Sequence, residues 1–163
     1  MPAKNMIIVG MADLNAVKSP GALTTLGLGS CVGIALYDSL AKVAGLAHIM
    51  LPDSTQIQNH SNMAKFADTA MKILLQDMAK LGARQGNMKA KIAGGAQMFA
   101  FNSTQESMRI GDRNVEATIK LLKMYNIPLL ARDTGLTYGR TVELYADDGR
   151  FVIKTIGHGI KTI

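Results

Sequence analysis

The chain has 163 residues, of which 48% are hydrophobic and 18% charged, enough to bury one ordinary core, so residues 1–163 are expected to form a single domain. Eighteen Lys and Arg against twelve Asp and Glu give a formal net charge of +6. The cations are scattered from Lys4 to Lys161, and with no Trp and 5% aromatic residues a base-stacking nucleic-acid surface is not expected. The lone cysteine, Cys31, rules out an internal disulfide, and no apolar run approaches the roughly 18 residues needed to span a bilayer. A cytoplasmic, non-inserted protein is the simplest expectation.

In chain order, MPAKNMIIVGMADLNAV reads as a strand and not as a leader peptide, because Asp13 soon breaks its apolar stretch. NAVKSPGA follows as a loop marked by Ser19, Pro20 and Gly21. VGIALYD and KVAGLAHIML are short, β-branched or apolar runs separated by Asp38 and Ser39, and read as a hairpin. From Ser61 the period changes: Ala67, Met71, Leu74, Met78 and Leu81 recur at helical spacing, with Gly82 as a stop. MKAKIAGGA is a strand ending in a glycine pair. DRNVEATIKLLKMYNI is a second helix, striped by Val115, Ile119, Leu122 and Tyr125 and ended by Pro128. Ile110 to Asn114 reads as structural, with Asp112 as the helix N-cap. PLLARD, TVELYA and RFVIKTI are later strands, the last two joined at DDG. The pattern predicts an α/β (α+β) layered sandwich, a mixed β-sheet with helices packed on it.

TLGLGSCVG, residues 25–33, crowds three glycines around Cys31. A free cysteine is most often a small buried hydrophobe, but the hairpin gives this one a partner. A turn at Ser39 and Leu40 sets Cys31 opposite His48, where Cβ atoms in an antiparallel pair lie about 4.5–5.5 Å apart. An imidazole there can take the thiol proton and leave an ion pair with the nucleophile ready. Gly27 and Gly29 then let substrate and backbone N–H groups approach, and the Cys31 N–H is the first candidate oxyanion donor. The base needs an orienting group, and either Thr24 or Thr25 is placed to supply it. His60 and His158 compete for the base role. Neither forms a metal-ligand spacing with Cys31, so no zinc site is expected. GLGSCVG misses the dinucleotide pattern by one residue, and a nucleophile elbow fails because a strand, not a helix, follows the cysteine.

TLGLGSCVGIALYD followed by AKVAGLAHIMLPDS, then KIAGGAQMF, IGDRN and DTGLTYGRTVELYADDGR, resembles the CheD family of chemoreceptor glutamine deamidases along nearly the whole chain. The resemblance implies a Cys31, His48 and Thr25 catalytic triad that needs no cofactor. It implies chemotaxis receptors (methyl-accepting chemotaxis proteins) as substrates, whose glutamines become glutamates through a thioester. Some members of the family hydrolyse receptor methyl esters, and many bind and stimulate a CheC-type phosphatase. One departure is visible: Leu136 follows Gly135 where the family commonly has a second glycine, which argues against a left-handed backbone there. The competing expectations are a regulatory module whose main task is to dock on a CheC-type phosphatase, and a cysteine hydrolase of small amides.

Overall fold

VGIALYD and VAGLAHI carry no charge before the terminal Asp38, and such continuous apolar runs suit strands covered on both faces. They form β4 (Val32–Asp38) and β5 (Val43–Ile49), buried along almost their whole length. The structure is a computed structural model and describes residues 5–56, 62–98 and 109–163. His60, and Ser61 at the expected start of the first helix, lie outside the described residues.

β4 and β5 stand at the middle of a sheet ordered β2-β5-β4-β6-β7, whose other members are β2 (Asp13–Lys18), β6 (Met88–Gly94) and β7 (Leu129–Thr134). Only the β6–β7 pairing is parallel. A second sheet, ordered β1-β3-β8-β9-β10, contains β1 (Met6–Ile8), β3 (Ala22–Leu28), β8 (Arg140–Tyr145), β9 (Phe151–Thr155) and β10 (Gly159–Thr162). There β1 runs parallel to β3 and the remaining pairs are antiparallel. The α+β layering matches expectation, but the described residues form two mixed sheets where one was read. The expected loop at Asn15–Lys18 is part of β2, and the glycine-rich approach to Cys31 is largely β3.

Among the described residues, two α-helices cover the outer face of the first sheet. α1 (Ala67–Lys80) buries Ala67, Ala70, Met71, Leu74 and Met78, close to the expected stripe. It begins later than Ser61 because Asn62, accepting from the Ala64 N–H, caps a short 3-10 turn that precedes it. α2 (Ile110–Met124) buries Gly111, Asn114, Val115, Thr118 and Leu122. It opens before Asp112, so Asp112 is no N-cap; it lies in the first turn, where a carboxylate suits the helix dipole. Asn126, at φ 58°, ends the helix in the left-handed conformation common after helices.

The layers are therefore sheet, sheet and helices, with a core on each side of the middle layer. Val32, Ile34, Leu36, Ala47 and Ile49 face Met71, Leu74 and Met78 of α1. Full burial of side chains of that size is worth about 1.5–3 kcal/mol each. On the opposite face, Ala35, Ala44, Leu46 and Cys31 meet Leu23, Leu28, Val142, Leu144, Phe151 and Ile153 of the second sheet.

The β4–β5 register differs from the expected one by two residues. Gly33 pairs with His48 and Asp38 with Val43, leaving Ser39 to Lys42 as the loop. The cause is Asp38, whose carboxylate accepts from the Leu40 and Ala41 N–H groups and widens the turn. A shift of two preserves the face of every residue.

Candidate active site

Strand alternation aims His48 into the space between the sheets. Ala44 and Leu46 precede it on that face, and the pairing sets it opposite Gly33. Cys31 lies one residue before β4, on the same inter-sheet face and diagonal to His48. The residue directly across from the imidazole, Gly33, has no side chain. A Cβ on Gly33 would also sit 3.1 Å from Leu28 Cδ1.

The other sheet contributes Thr25. β3 is regular up to Thr25 and then bulges before Leu28, with Gly27 at φ 68°; bulges of this kind re-aim side chains beside functional sites. Thr25 and Thr24 point to different partners. The Thr24 hydroxyl donates to the Val142 carbonyl at 2.8 Å. The Thr25 hydroxyl donates to the Val9 carbonyl at 2.7 Å, and the same oxygen lies 2.7 Å from His48 Nδ1.

A hydroxyl has one hydrogen. Since the Val9 carbonyl takes it, Thr25 Oγ1 can only accept from His48, so Nδ1 carries the imidazole proton and Nε2 keeps its lone pair. That Nε2 is buried and without a hydrogen-bond partner among the described residues. Cys31, His48 and Thr25 are 8%, 1% and 0% exposed. Burial pulls the His48 imidazole below its ordinary value and pushes the Cys31 thiol up, opposed in part by the residue's own backbone N–H. Both shifts favour the neutral thiol and the neutral imidazole over the ion pair expected from the sequence.

The loop that presents Cys31 is tied from behind by Gly95 and Ala96, which follow the end of β6. Gly95 N–H donates to the Cys31 carbonyl and Ala96 N–H to the Gly29 carbonyl, both at 2.8 Å. A Cβ on Gly94 would stand 2.2 Å from the Cys31 oxygen; only glycine permits that approach. Gly135 N–H holds the Gly94 carbonyl at 3.0 Å, and Arg140 holds the Gly135 carbonyl at 3.0 Å while ion-paired with buried Asp133 at 3.1 Å. Leu136 does adopt the left-handed backbone, at φ 61°, with its side chain 61% exposed. His158 is far from this arrangement in role: it stacks on Tyr138 with ring centroids 4.1 Å apart, in the turn before β10. Val9 was missed at the sequence level, since a backbone carbonyl from a loop leaves no side-chain signal.

Fold and site together define an α+β protein that holds a thiol, a tautomer-fixed imidazole and a threonine hydroxyl between two sheets. The chain belongs to the CheD family: residues 50–155 match the family model described as CheD chemotactic sensory transduction. It is 58% identical over 155 residues to a probable chemoreceptor glutamine deamidase CheD of Caldanaerobacter subterraneus subsp. tengcongensis, covering 95% of this chain and 96% of that protein. It is 51% identical over 160 residues to the chemoreceptor glutamine deamidase CheD of Halalkalibacterium halodurans, covering 98% and 99%. Among solved structures, the Bacillus licheniformis hypothetical protein YfiH is similar in backbone course, with a TM-score of 0.46 and 13% identity over 77% of this chain and 51% of that one. No described helix is long and apolar enough to cross a membrane.

Proposed function

We propose that this chain is a protein-glutamine deamidase acting on cytoplasmic glutamines of chemotaxis receptors, with Cys31 as nucleophile, His48 as general base and acid, and Thr25 as the group that fixes His48. The observation that carries the reading is the Val9–Thr25–His48 chain, which leaves a lone pair at Nε2 on the face that Cys31 shares. The names of the full-length relatives support the substrate class.

In this reading Sγ attacks the carboxamide carbon of a substrate glutamine as His48 Nε2 takes the thiol proton, and the Cys31 N–H receives the developing oxyanion. The imidazolium then gives that proton to the departing nitrogen, and ammonia leaves a thioester. A water attacks the thioester as Nε2 takes one of its protons; the sulfur leaves, regains a proton from His48, and glutamate is released. A glutamate methyl ester would follow the same path with methanol as leaving group. The chain works as one domain in the cytoplasm, and a CheC-type phosphatase is its further partner.

The test is mass spectrometry of receptor cytoplasmic fragments after incubation with wild type, Cys31→Ala and His48→Ala. Wild type is expected to convert discrete glutamines to glutamates, with no conversion by the folded variants. An unreactive wild type, or an active Cys31→Ala, sinks the reading. Phosphatase binding retained by Cys31→Ala would separate docking from chemistry.

A further inference from the structure

Cys31 and Met50 both lie just past the last β4–β5 pair, Val32 with Ile49, so the ladder itself does not fix the spacing between the cysteine turn and the end of the histidine strand. The tie at that level comes from α2. Asn114, fully buried in the second turn of the helix, donates from Nδ2 to the Ser30 carbonyl at 2.9 Å and to the Met50 carbonyl at 3.0 Å. Ser30 is the residue before Cys31, and Met50 is two residues after His48. One amide group therefore clamps the two strand ends that carry the thiol and the imidazole.

The orientation of that amide is fixed chemically, since the flipped form would set its oxygen against two carbonyl oxygens. Asn114 is itself held, its carbonyl accepting from Thr118 Oγ1 at 2.8 Å. Its Oδ1 is buried with no partner among the described residues. An unpaired buried acceptor is a standing cost, which an apolar residue of similar size would avoid. Helix packing alone does not call for asparagine here; two carbonyls on opposite sides of a reacting pair do.

We infer that Asn114 is a positioning residue, setting the separation of Cys31 Sγ and His48 Nε2 through the Ser30 and Met50 carbonyls. The inference rests on the reading of Cys31 and His48 as nucleophile and base. Misplacement of a reacting group by about 1 Å costs on the order of 100-fold in rate, which sets the scale of the expected effect.

The experiment compares wild type, Asn114→Ala, His48→Ala and the double variant, with Thr118→Val as a control that loses a buried hydrogen bond on the same helix without releasing either strand end. Two rates are read below the melting temperature: receptor-fragment deamidation, and alkylation of Cys31 by iodoacetamide at neutral pH. Asn114→Ala is expected to lower kcat about 10- to 100-fold with KM unchanged. It should also slow alkylation to the rate of His48→Ala, and have no further effect in the His48→Ala background. Thr118→Val should lower Tm and leave both rates within about two-fold of wild type. Asn114→Ala that keeps wild-type rates while folded, or that slows alkylation equally with and without His48, overturns the inference. Should the alanine variant not fold, Asn114→Ser, whose shorter side chain cannot reach both carbonyls, is put through the same cycle with the same criteria. A wild type that alkylates no faster than His48→Ala refutes the thiol–imidazole reading and the positioning role with it; a His48-dependent wild type with an indifferent Asn114 refutes the positioning role alone.

Discussion

Replacing Thr25 by valine keeps the shape of a fully buried residue and removes one hydroxyl. Two partners lose it: the Val9 carbonyl and His48 Nδ1, each 2.7 Å from the oxygen. A buried N–H left without an acceptor costs about 1–3 kcal/mol, and since Nε2 has no partner among the described residues, Thr25 biases the proton toward Nδ1 by roughly 5- to 160-fold at 1.36 kcal/mol per decade; the valine variant loses that bias and populates both tautomers. The alternative tautomer puts the proton on Nε2, where it blocks uptake of the thiol proton. Thr25→Val is therefore expected to lose about two-fold in kcat/KM for ammonia release from a receptor fragment through tautomer population, and on the order of 10- to 100-fold in all because the ring is no longer held in place. Thr25→Ser, which can still donate to Val9 and accept from His48, should retain most of the activity. Nitrogen NMR of labelled His48 would show the proton held on Nδ1 in wild type and shared between Nδ1 and Nε2 in the valine variant alone. Thr25→Val with kcat/KM within about two-fold of wild type would refute the positioning role of the hydroxyl, and a proton still held wholly on Nδ1 would refute the tautomer argument.

Because the His48 imidazole is pulled below 6.5 and the Cys31 thiol pushed above 9.0, kcat/KM should stay level between those pH values, with its acid limb below the first and its alkaline limb above the second; an alkylation midpoint for Cys31 well below 9.0 would contradict this. The depressed imidazole has a linked effect on folding: the unfolded chain takes up the proton first, so stability is expected to fall as pH drops below 6.5, and His48→Gln should flatten that part of a urea-midpoint profile against pH. Gly94→Ala combines a φ of 108° with a Cβ 2.2 Å from the Cys31 oxygen, and is expected to cost about 3 kcal/mol or more; an unchanged urea midpoint would show that the cysteine turn yields easily.

What was legible in the sequence was local. The Met71, Leu74 and Met78 stripe revealed α1, and the apolar runs on either side of Asp38 revealed the hairpin. The register was misread because an aspartate side chain, not the smallest turn, sets the loop. Cys31 and His48 still share a face, since the two registers differ by an even number. β3 was obscured by its glycines and by the distance to its partner: Thr25 pairs with Val142 of β8, and no short-range pattern announces such a pairing. The choice between Thr24 and Thr25 followed from family resemblance before alternation along β3 gave it a physical reason. Asn114 was read only as part of a structural segment, because its partners are backbone carbonyls far away in the chain and carry no residue signature.

The hydrogen bond between Thr25 and His48 joins side chains from different sheets, and this has a consequence for quality control. Either sheet could be fully formed, yet the imidazole would have no fixed proton until the two layers closed on each other. On the proposed reading, a newly made or partly opened chain carries a cysteine but an unready base. Stray glutamines of other proteins are then spared until assembly is complete, and deamidation becomes a readout of the finished sandwich.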